Sequence, residues 1–307
     1  MSFTLKDFTG VIPAYITPFD KNEKYDPAAA RETIEWLLAQ GVGGLYLTGS
    51  TGFGAVMDTD ERKRVVESVC ELVNGRVPLV AHIAAVSSKA SADLARHAKA
   101  AGCTGVSAVP SYYYKLNEEQ MVRYYSEIAE ATDLPLVIYA QCSVYTPSVP
   151  LFERLGAIPN VKGLKYTGSD HYTMGRIKKA LGEDFMVYSG MDEMFLSGLI
   201  FGADAVIGST YNVIPDLVKQ GMELYYAGDI FAARTKLLLA NDIVQCLLKY
   251  DLWGSMKVCQ QQMGLNAGYD PAPFGVMSED AKAAFLAELR TIKTSAPETD
   301  IALFRAL

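Results

Sequence analysis

Apolar, strand-like runs alternate with amphipathic, helix-like runs along most of the chain, and the alternation repeats eight times. The apolar runs predict strands over 11–19, 44–49, 79–84, 105–109, 134–139, 161–167, 185–189 and 205–208. The segments between them predict helices near 27–40, 58–74, 88–101, 117–132, 148–156, 171–181, 192–202 and 213–226. Several of these carry start signals: Asp58, Thr59 and Asp60 before Glu61, Asn117 before Glu118 and Glu119, and Pro215 early in the eighth. Strands buried on both faces read as continuous apolar runs, so eight β-α units predict an α/β fold, a (β/α)8 TIM barrel with a parallel sheet. Beyond residue 226 the strand signal stops, and 229–250, 255–264 and 278–294 read as helices around a loop over 268–275. The expected organisation is a barrel over 1–226 and a C-terminal helical extension over 227–307. No low-complexity linker separates them, so the two are expected to pack together.

One strand breaks its own pattern. Val161-Lys162-Gly163-Leu164-Lys165-Tyr166-Thr167 follows a turn signal at Ala157-Ile158-Pro159-Asn160 and carries two lysines where a buried strand should have none. Alternation puts Val161, Gly163, Lys165 and Thr167 on one face and Lys162, Leu164 and Tyr166 on the other, so one lysine points inward. Gly163 marks the Lys165 face as the narrow, inner one. A desolvated ammonium gives up its proton more readily, and the neutral amine is a nucleophile toward ketones. Lys165 is thus the candidate Schiff-base residue; a strand-end lysine reaching into solvent is the other reading of this stretch.

A barrel places its chemistry at the C-terminal ends of the strands. Those ends are polar here: Gly49-Ser50-Thr51-Gly52, Pro110-Ser111-Tyr112-Tyr113-Tyr114, Tyr139, Lys165 with Thr167, Gly190-Met191-Asp192-Glu193, and Gly208-Ser209-Thr210-Tyr211-Asn212. The Ser50-Thr51 turn offers hydroxyls and backbone N–H groups to a carboxylate, or is a plain β-α turn with a helix cap. Tyr139 is a candidate proton relay or a satisfied core phenol. Tyr112 to Tyr114 suit a second relay hydroxyl or an aromatic surface between subunits. Asp192 and Glu193 suit acceptors for polyol hydroxyls or a helix start favoured by the macrodipole. His82, within an apolar run, reads as a core histidine, and the cysteines, Cys142 included, as packing residues.

Composition narrows the partners. With 28 basic and 35 acidic residues the net charge is −7, and no basic run occurs, which argues against nucleic acid. The apolar run 194–203 is too short to span a bilayer. The opening Met-Ser-Phe-Thr-Leu-Lys-Asp-Phe lacks the basic-then-apolar pattern of a signal peptide. Five cysteines without metal-ligand spacing read as reduced thiols of a cytoplasmic protein, and three scattered histidines offer no zinc cluster.

Thr17-Pro18-Phe19, Gly49-Ser50-Thr51-Gly52, Tyr139 and Lys165 together resemble the pyruvate-dependent class I aldolases of the dihydrodipicolinate synthase and N-acetylneuraminate lyase superfamily. Lys165-Tyr166-Thr167, Gly190-Met191-Asp192-Glu193, Gly208 to Asn212, Ala81-His82-Ile83 and Val86-Ser87 resemble its sialic acid lyase branch. The resemblance implies a carbon-carbon lyase, commonly a homotetramer, that needs neither metal nor organic cofactor and whose lysine forms an imine with the 2-oxo group of an open-chain sugar acid. It implies that Ser50 and Thr51 hold the carboxylate, that Tyr139 relays the C4 hydroxyl proton, and that Tyr112 reaches in from a neighbouring subunit. Thr167, Gly190, Asp192, Glu193 and Ser209 line the sugar side, and pyruvate and N-acetylmannosamine are the products.

Three features depart from the pattern. Phe53 replaces the usual glutamate after the Ser50-Thr51 turn, Ala140-Gln141-Cys142 replace asparagine, an apolar residue and proline, and Val144 stands where a dihydrodipicolinate synthase carries an arginine. The last counts against that branch. The first two keep open a lyase or dehydratase for another 2-oxo sugar acid, such as 2-keto-3-deoxygluconate. A non-catalytic sugar-acid binding barrel is the third reading, though binding alone needs no nucleophile.

Overall fold

The apolar runs fold into eight short parallel strands: β1 (Gly10–Pro13), β2 (Leu45–Leu47), β3 (Leu79–His82), β4 (Gly105–Ala108), β5 (Leu136–Gln141), β6 (Val161–Thr167), β7 (Met186–Ser189) and β8 (Ala205–Gly208). The structure is a computed structural model describing residues 3–274 and 277–307. Met1 and Ser2 of the N-terminal reading, and Gly275 at the end of the loop expected over 268–275, lie outside the described residues. The sheet runs β1-β8-β7-β6-β5-β4-β3-β2. A parallel bridge between Ala14 and Tyr46, with the Tyr15 N–H donating to the Tyr46 carbonyl at 2.9 Å, joins its two ends. That closure makes the sheet a (β/α)8 barrel.

Helices α1 (Pro27–Ala39), α2 (Thr59–Val73), α3 (Ser88–Ala101), α4 (Glu118–Ala129), α5 (Val149–Gly156), α6 (His171–Leu181), α7 (Phe195–Ile200) and α8 (Pro215–Tyr226) alternate with the strands. The predicted start signals act as caps. Asp58 accepts from the Glu61 N–H at 2.8 Å, and Asn117 and Gln120 form a reciprocal capping box. The C-terminal extension is α9 (Ile230–Tyr250), α10 (Leu252–Gln262), α11 (Glu279–Ser295) and a short α12 (Ala302–Ala306) that the sequence pattern did not reveal.

The barrel interior is filled by Ile12, Tyr46, Val80, Val137, Met186, Tyr188 and Ile207, and Leu5 and Phe8 close its N-terminal end. A second layer lies between sheet and helices, and a third buries α9 to α12 against α7 and α8. Complete burial of one Phe8-sized side chain contributes about 2–3 kcal/mol, so the plug is a substantial part of what holds that end shut.

Three expectations are corrected. The first strand was expected to reach Phe19, but β1 ends at Pro13, pairing stops with the Ala14–Tyr46 bridge, and the Ile16 N–H is taken instead by the Asn212 side chain at 3.1 Å. The segment 192–202 begins as a 3-10 turn over Asp192–Met194 before α7. Val161 does not share the Lys165 face, because the register shifts there: Leu136 pairs with Val161 but Val137 with Gly163. The extra residue, Lys162, bulges into solvent and Val161 turns into the outer layer with Leu136 and Leu164.

Candidate active site

The bulge aims Lys165 inward. Gly163, with Val137 and Met186 against it, and then Lys165 face the barrel interior, and Lys165 is only 6 % exposed. In register it stands between Tyr139 of β5 and Tyr188 of β7. Its Nζ lies 4.0 Å from the Tyr139 ring centroid and 4.9 Å from that of Tyr46. Among the described residues no carboxylate comes within ion-pair distance of that nitrogen. A buried amine without a counter-ion, pressed on two phenol rings, is costly to stability and marks a candidate functional group.

Tyr139 is 5 % exposed and packs edge-on to Tyr46 and His82, with centroids 6.4 and 6.0 Å away. His82 accepts a hydrogen bond from the Val109 N–H at 3.3 Å, and burial, with help from Arg62 and Lys165, pushes its pKa down to about 3. It is a neutral, satisfied imidazole, as the apolar run around it implied. Arg62 holds that wall by donating to the carbonyls of Ala84 and His82.

The Gly49-Ser50-Thr51-Gly52 turn is closed by its own backbone: Phe53 N–H donates to Ser50 O at 3.1 Å and Gly54 N–H to Gly49 O at 3.0 Å. The intervening N–H groups of Ser50, Thr51 and Gly52 have no partner among the described residues. That leaves three backbone donors at one turn available to a carboxylate. The turn does not lead straight into a helix, since α2 starts only at Thr59. Thr17 fastens it from the β1 side by donating to the Gly52 carbonyl at 2.8 Å. A Cβ on Gly54 would sit 1.8 Å from the Thr48 carbonyl oxygen, so only glycine fits there.

The polar residues at the ends of β6, β7 and β8 lie next to this turn. Thr51 Oγ1 and Ser209 Oγ are hydrogen-bonded at 2.7 Å, joining the turn to the end of β8. Asp192 accepts from the Thr210 N–H and hydroxyl, each at 2.7 Å, yet burial pushes its pKa up to about 6. Glu193 is partly exposed, and its carbonyl accepts from Asn241 of α9 at 3.2 Å. Gly190 lies so close to Thr167 that a Cβ would approach its Oγ1 to 2.2 Å and the Lys165 Cε to 3.3 Å. Ser50 is exposed at the mouth. Tyr112 stands apart: it is 47 % exposed, with Tyr113 and Tyr114 still more open, and joins none of the aromatic pairs of the site.

Sequence reasoning missed Tyr46, the bridging role of Asn212 and the partners of Phe53. Asn212 donates to the carbonyls of Ala14 and Ser209 while accepting from Ile16, which stitches β1 to the β8 loop. Phe53, in the left-handed region at φ 58°, turns away from the turn into a buried cluster with Phe19, Trp253 and Phe274. Lys257 lies beneath it, 5.9 Å from its ring and ion-paired with Asp270 at 3.3 Å; burial pushes this lysine down to about 8. An aromatic anchor on the C-terminal extension thus supports the turn where a charged group was expected. Among the described residues no group of three His, Cys, Asp or Glu side chains is placed to hold a metal, and all five cysteines are free thiols.

Residues 7–292 match the model of the dihydrodipicolinate synthetase family. The chain is 33 % identical over 278 residues to the N-acetylneuraminate lyase of Rhizobium meliloti (strain 1021), spanning 90 % of this chain and 92 % of that one. It is 36 % identical over 261 residues to that of Citrobacter koseri, with 84 % and 88 % covered. A catalytic lysine mutant of the Ruminococcus gnavus sialic acid aldolase superposes with a TM-score of 0.91 at 26 % identity over 96 % of this chain and 99 % of that one. The Mycoplasma synoviae N-acetylneuraminate lyase does so at 0.86 and 31 % over 94 % and 98 %. By its fold, by the family model that spans nearly all of it and by these relatives, the chain belongs to the dihydrodipicolinate synthetase family.

Proposed function

We propose that this chain is an N-acetylneuraminate lyase, reversibly cleaving the sugar acid to pyruvate and N-acetylmannosamine through a Schiff base on Lys165. The observation that carries the reading is the buried, unpaired Lys165 amine against the Tyr139 ring at the C-terminal end of β6. The relatives named as N-acetylneuraminate lyases and sialic acid aldolases, one of them a catalytic lysine mutant, supply the substrate.

The geometry suits each step. The free N–H groups of Ser50, Thr51 and Gly52 and the hydroxyl of Ser50 take the carboxylate, which brings the 2-oxo carbon over Lys165. The amine adds to that carbon, and loss of water leaves an iminium. Tyr139 gives its phenol proton to the hydroxyl that leaves as water, the resulting phenolate accepts the proton of the C4 hydroxyl as the C3–C4 bond breaks, and the bonding pair flows to nitrogen, giving an enamine and the aldehyde. Protonation of the enamine at C3 and hydrolysis release pyruvate and regenerate the amine. Thr167, Gly190, Asp192, Glu193 and Ser209 bind the sugar chain.

The finer assignments extend this reading. Tyr112, exposed in the single chain, reaches into the site of a neighbouring copy within a homotetramer, and five reduced thiols fit a cytoplasmic enzyme. Residues 227–307 act as an extension of the barrel and not as a separate domain. Incubation with N-acetylneuraminate, followed by assay of pyruvate, tests the proposal. A panel of other 2-oxo sugar acids compared by kcat/KM tests the substrate, and preference for one of them by tenfold or more would reassign it.

A further inference from the structure

Tyr46 is held by both its hydroxyl and its backbone beside the Lys165 nitrogen, and the mechanism above gives it no task. Its hydroxyl donates to Ser107 Oγ at 2.9 Å, its carbonyl accepts the Tyr15 N–H that closes the barrel, and its ring lies under Gly49, where a Cβ would approach Cε1 to 2.8 Å. The ring is wholly buried and therefore cannot swing away. It meets the Tyr139 ring edge to face at 88°, with His82 completing the triangle at 6.1 Å. The Lys165 nitrogen sits in the corner between the two phenol rings, facing both.

We propose that Tyr46 is a positioning residue forming, with Tyr139, an aromatic clamp that keeps the iminium on Lys165 in its charged, electron-accepting form. The inference rests on the Schiff-base reading of Lys165. The physical reason is that a cation over a desolvated aromatic face is stabilised by the ring quadrupole, here in place of a counter-ion. A carboxylate so close to the nitrogen would oppose loss of the positive charge when the enamine forms, whereas an aromatic face attracts it more weakly.

The titratable and charged groups around the nitrogen are Tyr46 on β2, His82 on β3 with Arg62 of α2 behind it, Tyr139 on β5, Tyr188 on β7, and Asp192 and Glu193 beyond β7. His82 is pushed to about 3 and Asp192 to about 6, so both lie on the acid side, while burial raises Tyr46 and Tyr188 well above the ordinary phenol value. An alkaline limb of iminium formation is therefore separable from these four.

The test uses the full chain with pyruvate and cyanoborohydride, which reduces the iminium but not the neutral imine, and reads adduct yield on Lys165 against pH by mass spectrometry. The wild type and Tyr46→Phe, which keeps the ring, are expected to lose adduct at the same pH. Tyr46→Leu is expected to lose it about one pH unit lower. Coincident alkaline limbs in all three proteins would overturn the clamp, as would a shift in Tyr46→Phe equal to that in Tyr46→Leu. Should Tyr46→Leu fail to fold, Tyr46→Met replaces it. If neither aliphatic variant folds while Tyr46→Phe does, the ring is a packing element and the proposal fails. No adduct in the wild type at any pH would instead refute the Schiff-base reading itself.

Discussion

The hydroxyls of Thr51 and Ser209 meet at 2.7 Å, so the Gly49-Ser50-Thr51-Gly52 turn and the end of β8 are linked by one hydrogen bond. Neither residue then acts alone. Thr51→Val and Ser209→Ala are each expected to weaken pyruvate binding, and the double variant to lose less than the sum, with a coupling of about 0.5–1.5 kcal/mol. A double-mutant cycle on the pyruvate dissociation constant checks this, and strict additivity would show that the contact carries no binding energy.

Asp192 is expected to give the site an acid limb. Its carboxyl is pushed up to about 6 by burial, and only the ionised form accepts hydrogen bonds from hydroxyls with both oxygens. The kcat/KM for N-acetylneuraminate is expected to rise as pH climbs through that value. Asp192→Asn is expected to flatten the limb and cost about 10- to 100-fold, the scale of hydrogen bonds to a charged group. The sign for stability is opposite: with its folded pKa raised, Asp192 contributes fully below about 3.8, and the contribution is lost as pH rises through about 6. Asp192→Asn should therefore gain on the wild type in Tm from about pH 4 to pH 7; a constant difference would contradict the shift.

Phe53 and Lys257 tie the Gly49-Ser50-Thr51-Gly52 turn to the C-terminal extension. Phe53→Ala removes a fully buried ring from contact with Phe19, Trp253 and Phe274, and is expected to cost about 3–5 kcal/mol in denaturant unfolding. Lys257→Met, which leaves Asp270 buried without its partner, is expected to cost a similar ~3–5 kcal/mol. Both variants should also raise KM, because the turn loses its backing. Loss of stability with unchanged KM would show that the anchor does not reach the site.

Much of this was readable before any coordinates. The bounds of β6 and β8 fall where the apolar runs begin and end, because a buried parallel strand is continuous in sequence and bounded by turn residues. Lys165, Tyr139, Thr51, Asp192 and Ser209 were legible as polar residues at strand ends. What escaped depends on partners far away in the chain. The bulge at Lys162 is a register event between two strands, invisible to alternation within one. Tyr46 looks like any strand tyrosine until Ser107, Gly49 and Lys165 surround it, and Phe53 looks like a lost glutamate until Trp253 and Phe274 arrive from the extension.

Gly190 is expected to be irreplaceable for activity but not for folding. An added methyl group would collide with Thr167 Oγ1 and crowd the Lys165 side chain, while the backbone there is not in the left-handed region. Gly190→Ala should fold with a Tm near that of the wild type and lose turnover by about 10² or more, since a misplacement of 1 Å costs on that scale. Full activity would mean that Thr167 yields without consequence.

The central claim is that the Lys165 amine is the nucleophile. Borohydride reduction of the protein in the presence of pyruvate, followed by peptide mass analysis, measures it directly, with Lys165→Ala as the control. The account predicts one reduced three-carbon adduct, on the peptide carrying Lys165, absent from a folded Lys165→Ala protein that no longer releases pyruvate from N-acetylneuraminate. An adduct on another lysine, or pyruvate release by Lys165→Ala at the wild-type rate, would contradict it.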